Sequence, residues 1–186
     1  MSRSARPFSN VFAGCTLGAE PMQKEAEPVE ITLQPRTREN ALLYFRRTQT
    51  EAIRKFLPQK AKSEEEALAE YEKTLLPGAG SYGRSIYADG AYVGDVWACG
   101  IGGDDPDAML SYCLFETALW GKGVATEAVR LFLPELRERF AVRSVGAFTY
   151  ADNAASIQVL LRSGFRERES FTEEGRESKY FRLDLP

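Results

Sequence analysis

Residues 108–140, AMLSYCLFETALWGKGVATEAVRLFLPELRERF, constrain the fold more than any other stretch. A β-prone run ending at Glu116 feeds two glycines that flank a lysine. Val124, Ala128, Leu131, Phe132 and Leu136 then recur at helical spacing and give one apolar stripe. A strand therefore passes into a helix through Gly121, Lys122 and Gly123. Pro134 falls inside the stripe and is expected to kink it.

The flanking segments decide what this unit belongs to. VEITLQPRT, 29–37, alternates and reads as a strand ending near Pro35. Residues 36–57 read as helical, with Ala41, Leu42, Phe45, Ile53 and Phe56 available for burial, and Leu57-Pro58 closes that region. SEEEALAEYEKTLL, 63–76, starts with a capping box, Ser63 at the N-cap and Glu66 three residues on. Residues 84–101 form two strands turned at Asp89-Gly90, a strong hairpin signal. GGDDPD then turns the chain into the strand 108–116. RSVGAFTY, 143–150, is a strand, and NAASIQVLLRSG, 153–164, is a helix capped by Asn153 and ended by Gly164. FRERESF and ESKYFRLDL close the chain as strands around TEEG. The order β-α-α-β-β-β-α-β-α-β-β is that of an α+β protein: a mixed, mostly antiparallel twisted sheet with helices on both faces. Residues 1–28 lack periodicity and read as an N-terminal extension to a single domain over 29–186. Met22 is a candidate original start, which intact-mass analysis would settle.

Composition removes several chemistries. The chain of 186 residues has no histidine and a formal net charge of −3. The commonest general base and metal ligand is missing. Chemistry must use carboxylates, hydroxyls, backbone groups or a cofactor, and no metal is expected. Cys15, Cys99 and Cys113 fit no zinc spacing, and an odd count without a secretory signal fits a reducing cytoplasm. The charge disfavours nucleic acid, and no stretch is long enough to span a membrane.

Glycines at a helix start leave N–H groups free beside the positive end of the macrodipole, and Lys122 adds a cation. Such a site suits a pyrophosphate. The spacing is not that of a Walker loop, and Thr126 stands where a G-x-G-x-x-G motif would have its third glycine. Taken alone, Gly121 and Gly123 read better as a tight strand-to-helix turn.

A second motif changes the balance. WGKGVATEAV, followed by DNAASIQVLLRSGF, resembles the GNAT acyltransferases, and within them the RimJ/RimL-like branch. The family signature Q/R-x-x-G-x-G/A reads Trp120-Gly121-Lys122-Gly123-Val124-Ala125 here, with Trp120 at the Gln/Arg position. Asn153, Ser156, Gly164 and Phe165 match the second motif, N-x-x-S with a later G-F. The resemblance implies acetyl-CoA as cosubstrate, its pyrophosphate on Trp120, Gly121, Lys122, Gly123, Val124, Ala125 and Thr126. It places the pantetheine arm between splayed strands, along Cys113, Leu114 and Phe115 and against Asn153. Arg130 and Arg162 are further candidates for phosphate contacts. The implied reaction is direct acetyl transfer to a primary amine, on a protein N-terminus or a small molecule, in a ternary complex in the cytoplasm. The region 36–76 is expected to wall the acceptor site. Homodimers are common in the family.

The catalytic residues are less well marked. The family's tyrosine acid, seven residues after the motif's Asn, is Leu160 here. Ser156 is the candidate partner for the thiolate, its alternative being a helix-start serine bonded to backbone, and Tyr150 is a weaker candidate. Glu116 is the candidate base, with Asp95 behind it. Trp97, Tyr92, Tyr112 and Phe148 read as core or cleft lining. A GNAT-fold sensor or interaction module with little turnover is the alternative, and a nucleotide-binding domain a more distant one.

Overall fold

The computed structural model describes residues 29–57, 61–173 and 175–186. The N-terminal extension, Met22, Cys15 and Pro58 lie outside them, as does Glu174 of the TEEG turn. The elements are β1 Ile31–Pro35, α1 Arg38–Arg47, α2 Glu51–Arg54, α3 Glu64–Lys73, β2 Ser81–Ala88, β3 Ala91–Cys99 and β4 Ala108–Leu114. A 3-10 turn at Thr117–Leu119 leads to α4 Val124–Phe140, β5 Ser144–Tyr150, α5 Ala154–Arg162, β6 Arg166–Glu173 and β7 Arg176–Asp184.

Seven strands form one sheet in the order β1-β2-β3-β4-β5-β7-β6. Every pairing is antiparallel except β4 with β5, which is parallel. That parallel ladder holds only Ala108 to Val145 and Met109 to Gly146. Beyond Met109 the two strands part, while β4 stays in register with β3 as far as Leu114.

The α4 stripe explains one face. Val124, Ala128, Val129, Phe132 and Leu136 are buried there with Val96, Leu110, Val145, Ala147, Leu160 and Phe181. Leu131, assigned to the stripe from the sequence, is 39% exposed. It lies about 100° round the helix from Phe132, on the solvent side. Pro134 sits inside α4 without ending it. The opposite face carries a smaller cluster: Ile53, Cys113 and Phe115, with Tyr44, Leu57, Tyr92 and Trp97 packed on it. Helices thus cover both faces, as the sequence predicts.

Two local readings need correction. The region 36–57 is two helices, because the Thr48 hydroxyl turns back onto the Tyr44 carbonyl at 2.7 Å and Thr50 is extended. A hydroxyl that satisfies a carbonyl of its own helix competes with propagation. The capping box at Ser63 is only half formed. Glu66 N donates to Ser63 Oγ at 3.2 Å, but the Glu66 carboxylate accepts from Lys62 N rather than from Ser63 N.

Candidate active site

The parting of β4 from β5 creates the site. Phe115 N donates to Val93 O at 3.0 Å, so residue 115 bonds toward β3. Antiparallel alternation then turns the backbone groups of Leu110, Tyr112 and Leu114 toward β5. From Leu110 onward β5 is too far away to pair. A cavity of about 1000 Å³ occupies the gap, walled by Leu110–Leu114, by Ala147–Tyr150, by the start of α5, and by Ile53 and Phe56.

The glycine loop closes one end. Gly121 and Gly123 have φ of 75° and 84°, a conformation that L side chains seldom adopt. The turn by itself therefore requires both glycines. An added Cβ at either would nevertheless meet nothing within 4 Å, so the space over the loop is open. Among the described residues, no acceptor takes the N–H of Gly121, Gly123, Val124, Ala125 or Thr126. Lys122 N instead donates to Leu119 O, at 3.3 Å. The Lys122 side chain borders a neighbouring groove of about 410 Å³ with Arg130 and Arg162. Three cations thus stand around a helix start rich in free donors, with Glu127 in the same groove 3.9 Å from Arg130. Trp120 is 40% exposed, and its indole N–H donates to Leu114 O at 2.9 Å, tying the loop to the end of β4.

At the head of α5 the Asn153 side chain accepts from Ser156 N at 3.2 Å and caps the helix. Its amide N–H groups have no acceptor among the described residues. The Ser156 hydroxyl does not bond backbone. It lies 2.8 Å from the Tyr112 hydroxyl, which is also 3.1 Å from Ser156 O. A phenol has a single proton. When that proton goes to Ser156 O, the serine hydroxyl donates to the phenol oxygen; when Tyr112 donates to Ser156 Oγ instead, the serine proton is free to point into the cavity. Desolvation raises the Tyr112 pKa, with the Ser156 hydrogen bond acting the other way. Leu160 is 1% exposed and belongs to the core.

The carboxylate candidates stand elsewhere. Glu116 lies just past β4, off the cavity wall, paired with Arg47 at 2.9 Å. Asp95 is fully buried on β3. It accepts from Ser85 and Tyr92, each at 2.9 Å, and Arg36 Nε is 3.0 Å from its other oxygen. That ion pair lacks hydrogen-bond alignment. Burial raises the Asp95 pKa against the opposing pull of Arg36, Ser85 and Tyr92. Beside it, burial pushes the Cys113 thiol up to about 11, so it is a thiol rather than a nucleophile. Tyr150 lines the cavity with the Arg176 guanidinium 3.4 Å above its ring.

The structure therefore gathers Cys113, Leu114, Trp120, Gly121, Gly123, Val124, Ala125, Thr126, Asn153 and Ser156 round one cavity, and leaves Glu116, Phe115 and Lys122 off its wall. Sequence reading missed the Tyr112 hydroxyl as a partner of Ser156. Alternation in AMLSYCL puts Tyr112 on one face with Leu110 and Leu114, but only the packing of α5 reveals what it meets.

The comparisons agree with this geometry. No curated protein sequence matches the chain. Several solved structures share its fold. A spermidine N-acetyltransferase from Vibrio cholerae, in complex with CoA and spermine, superposes with a TM-score of 0.74 at 15% identity, over 83% of this chain and 95% of that one. RimL, a ribosomal L7/L12 α-N-protein acetyltransferase in complex with CoA, gives 0.70 at 18% identity, over 83% and 94%. The aminoglycoside acetyltransferase AAC(6')-Ib in complex with CoA gives 0.68 at 15% identity, over 83% and 95%. These likenesses establish the fold. The family model of the acetyltransferase (GNAT) domain matches residues 30–166, from β1 through the glycine loop to the end of the second motif. With the split sheet and the glycine-led helix in place, this chain belongs to the GNAT acetyltransferase family.

Proposed function

We propose that this protein is an acetyl-CoA-dependent N-acetyltransferase of the RimJ/RimL-like branch, acting on a primary amine in a ternary complex. One observation carries the reading: a cleft between unpaired strands runs to a helix start whose N–H groups are free. Solved structures of this fold hold CoA with amines such as spermine.

In this reading the N–H groups of Gly121 and Gly123–Thr126 hold the pyrophosphate, and Lys122, Arg130 and Arg162 offset the remaining phosphate charge. The open backbone edge of Tyr112 and Leu114 pairs with the pantetheine amides, helped by the free Asn153 amide. The Leu114 N–H, turned toward the gap, serves as donor to a tetrahedral oxyanion in this reading, a role worth about 10²- to 10³-fold in kcat. As the amine nitrogen bonds the acetyl carbon, the carbon–sulfur bond breaks. Ser156 then hydrogen-bonds the departing sulfur with Tyr112 behind it. The proton lost by the attacking nitrogen ends on the CoA sulfur.

Calorimetry with acetyl-CoA tests the reading, on wild type and on Gly123→Trp. The tryptophan fills the open space over the loop and cannot readily keep the positive φ. Micromolar binding that the substitution abolishes, in a variant that still unfolds cooperatively, is the expected result. Absence of wild-type binding overturns the reading. Two features favour the alternative, a CoA-binding module with little turnover: Leu160 offers no hydroxyl, and Glu116 is engaged by Arg47. Amine-dependent release of CoA separates the two.

A further inference from the structure

Resting on the acetyltransferase reading, we infer that the acceptor is a monoamine bearing an apolar substituent, not a polyamine or an aminoglycoside. The composition of the cavity wall is the first ground. Among its described lining residues only Arg162 and Glu173 carry formal charge. Arg162 also borders the groove with Lys122, at the helix-start end. That leaves one exposed carboxylate, Glu173, to meet an acceptor's positive charge. The helical wall contributes Ala52, Ile53, Phe56 and Leu57, all apolar.

The second ground is that three acids near the cavity are already paired. Asp95 is buried under Arg36, Ser85 and Tyr92, and Glu116 holds Arg47. Asp152 holds two cations, Lys55 at 3.2 Å and Arg176 at 3.0 Å. Aromatic faces could substitute for carboxylates in binding a polycation. They too are taken. Lys55 Nζ lies 4.7 Å from the centre of the Phe56 ring, and Arg176 Cζ lies 5.6 Å from it and 3.4 Å from that of Tyr150. A polycation entering here would find Glu173 as its one carboxylate among the described lining residues, and burial of the remaining ammonium groups without a partner is strongly disfavoured.

The same wall supplies what a single amine needs. The nucleophile must be neutral, and desolvation in an apolar pocket lowers an ammonium pKa. A monoamine can lose its one excess proton to solvent on entry. No side-chain base is then required, which fits a chain without histidine whose candidate Glu116 stands off the wall. An apolar substituent gains burial against Ile53, Phe56 and Leu57. An alcohol or sugar at that position would gain none.

The test uses the full chain and acetyl-CoA, with thiol release measured for hexylamine, 2-phenylethylamine, spermine and ribostamycin. We expect kcat/KM for the two apolar monoamines to exceed that for the polycations by at least about tenfold. Ala52→Asp adds a carboxylate at an exposed wall position and should narrow that ratio about tenfold, chiefly by raising turnover of spermine. Equal or greater turnover of spermine or ribostamycin by wild type overturns the inference. So does acetyl-CoA binding without turnover of either monoamine. Failure to bind acetyl-CoA at all, seen separately by calorimetry, removes the parent reading and this one with it.

Discussion

Tyr112→Phe removes one oxygen and leaves the ring in place, so it isolates the role of the phenol. The wild-type hydroxyl lies 2.8 Å from Ser156 Oγ and 3.1 Å from Ser156 O. Two outcomes are separable by size. If the phenol only braces the head of α5, its loss costs about 1 kcal/mol, the net worth of a hydrogen bond. In a chain of this length that is a Tm fall of about 3 °C, with kcat nearly unchanged. If it backs Ser156 as the source of the thiol proton, general-acid help is at stake, about 10²- to 10⁴-fold. Ser156 survives in the variant and can still take a proton from water, so the lower end, about 10²-fold in kcat, is expected. Affinity for acetyl-CoA should stay within about threefold, because an interaction made late in the reaction does not hold the ground state. The burial-raised pKa keeps the phenol protonated through neutral pH, so no acid limb should come from it. The assay is steady-state thiol release with calorimetry and thermal unfolding on the same samples. Ser156→Ala should cost less in the Tyr112→Phe background than in wild type, since the two would act partly as one unit. A kcat within about threefold of wild type, or fully additive losses, refutes the relay.

Two further predictions concern the scaffold. A Cβ on Gly94 would lie 2.2 Å from Cys113 O and 2.9 Å from Leu114 Cα, so Gly94→Ala must push β4 outward. A loss of about 1–3 kcal/mol is expected together with weaker acetyl-CoA binding, and an unchanged Tm would show that the strands give way freely. Asp95 has a folded-state pKa above its ordinary 3.8, chiefly through burial. Between those two values the folded state holds more protons than the unfolded one. Stability should therefore fall as pH rises through that window. Asp95→Asn should flatten the slope in denaturant titrations over that range, and an equal slope in the variant would assign it to another group.

Much of the fold was legible because its signals are local. Asp89-Gly90 and the caps at Ser63 and Asn153 fix element ends through chemistry within four residues, and each cap bonds where expected. The break at Thr48 was not legible, since a hydroxyl's choice between water and the Tyr44 carbonyl depends on burial that the sequence does not state. The same limit divides the candidate site. The glycine loop could be read as a donor-rich helix start because Gly121 and Gly123 act through their own backbone. Glu116 could not be placed, because its partner Arg47 lies 69 positions away in sequence and comes from a different element. Tyr112 and Ser156, separated by 44 positions, meet only once α5 folds beside β4.

The two-pair ladder between β4 and β5 has a consequence for association between chains. A seven-stranded open sheet has two edges, but this one has four, since β4 and β5 each expose unpaired backbone beyond Met109 and Gly146. Exposed strand edges invite a strand from another molecule. The outer edges are defended by composition. β1 ends at Pro35, which cannot donate, and β6 presents Arg166, Glu167, Arg168 and Glu169 to solvent. The inner edges carry no such charges. They are defended by enclosure, with Trp120 occupying Leu114 O and with α5 and the Ile53–Leu57 segment on the cavity wall. A bulky neighbouring strand is kept out, while a thin extended ligand can still reach the backbone.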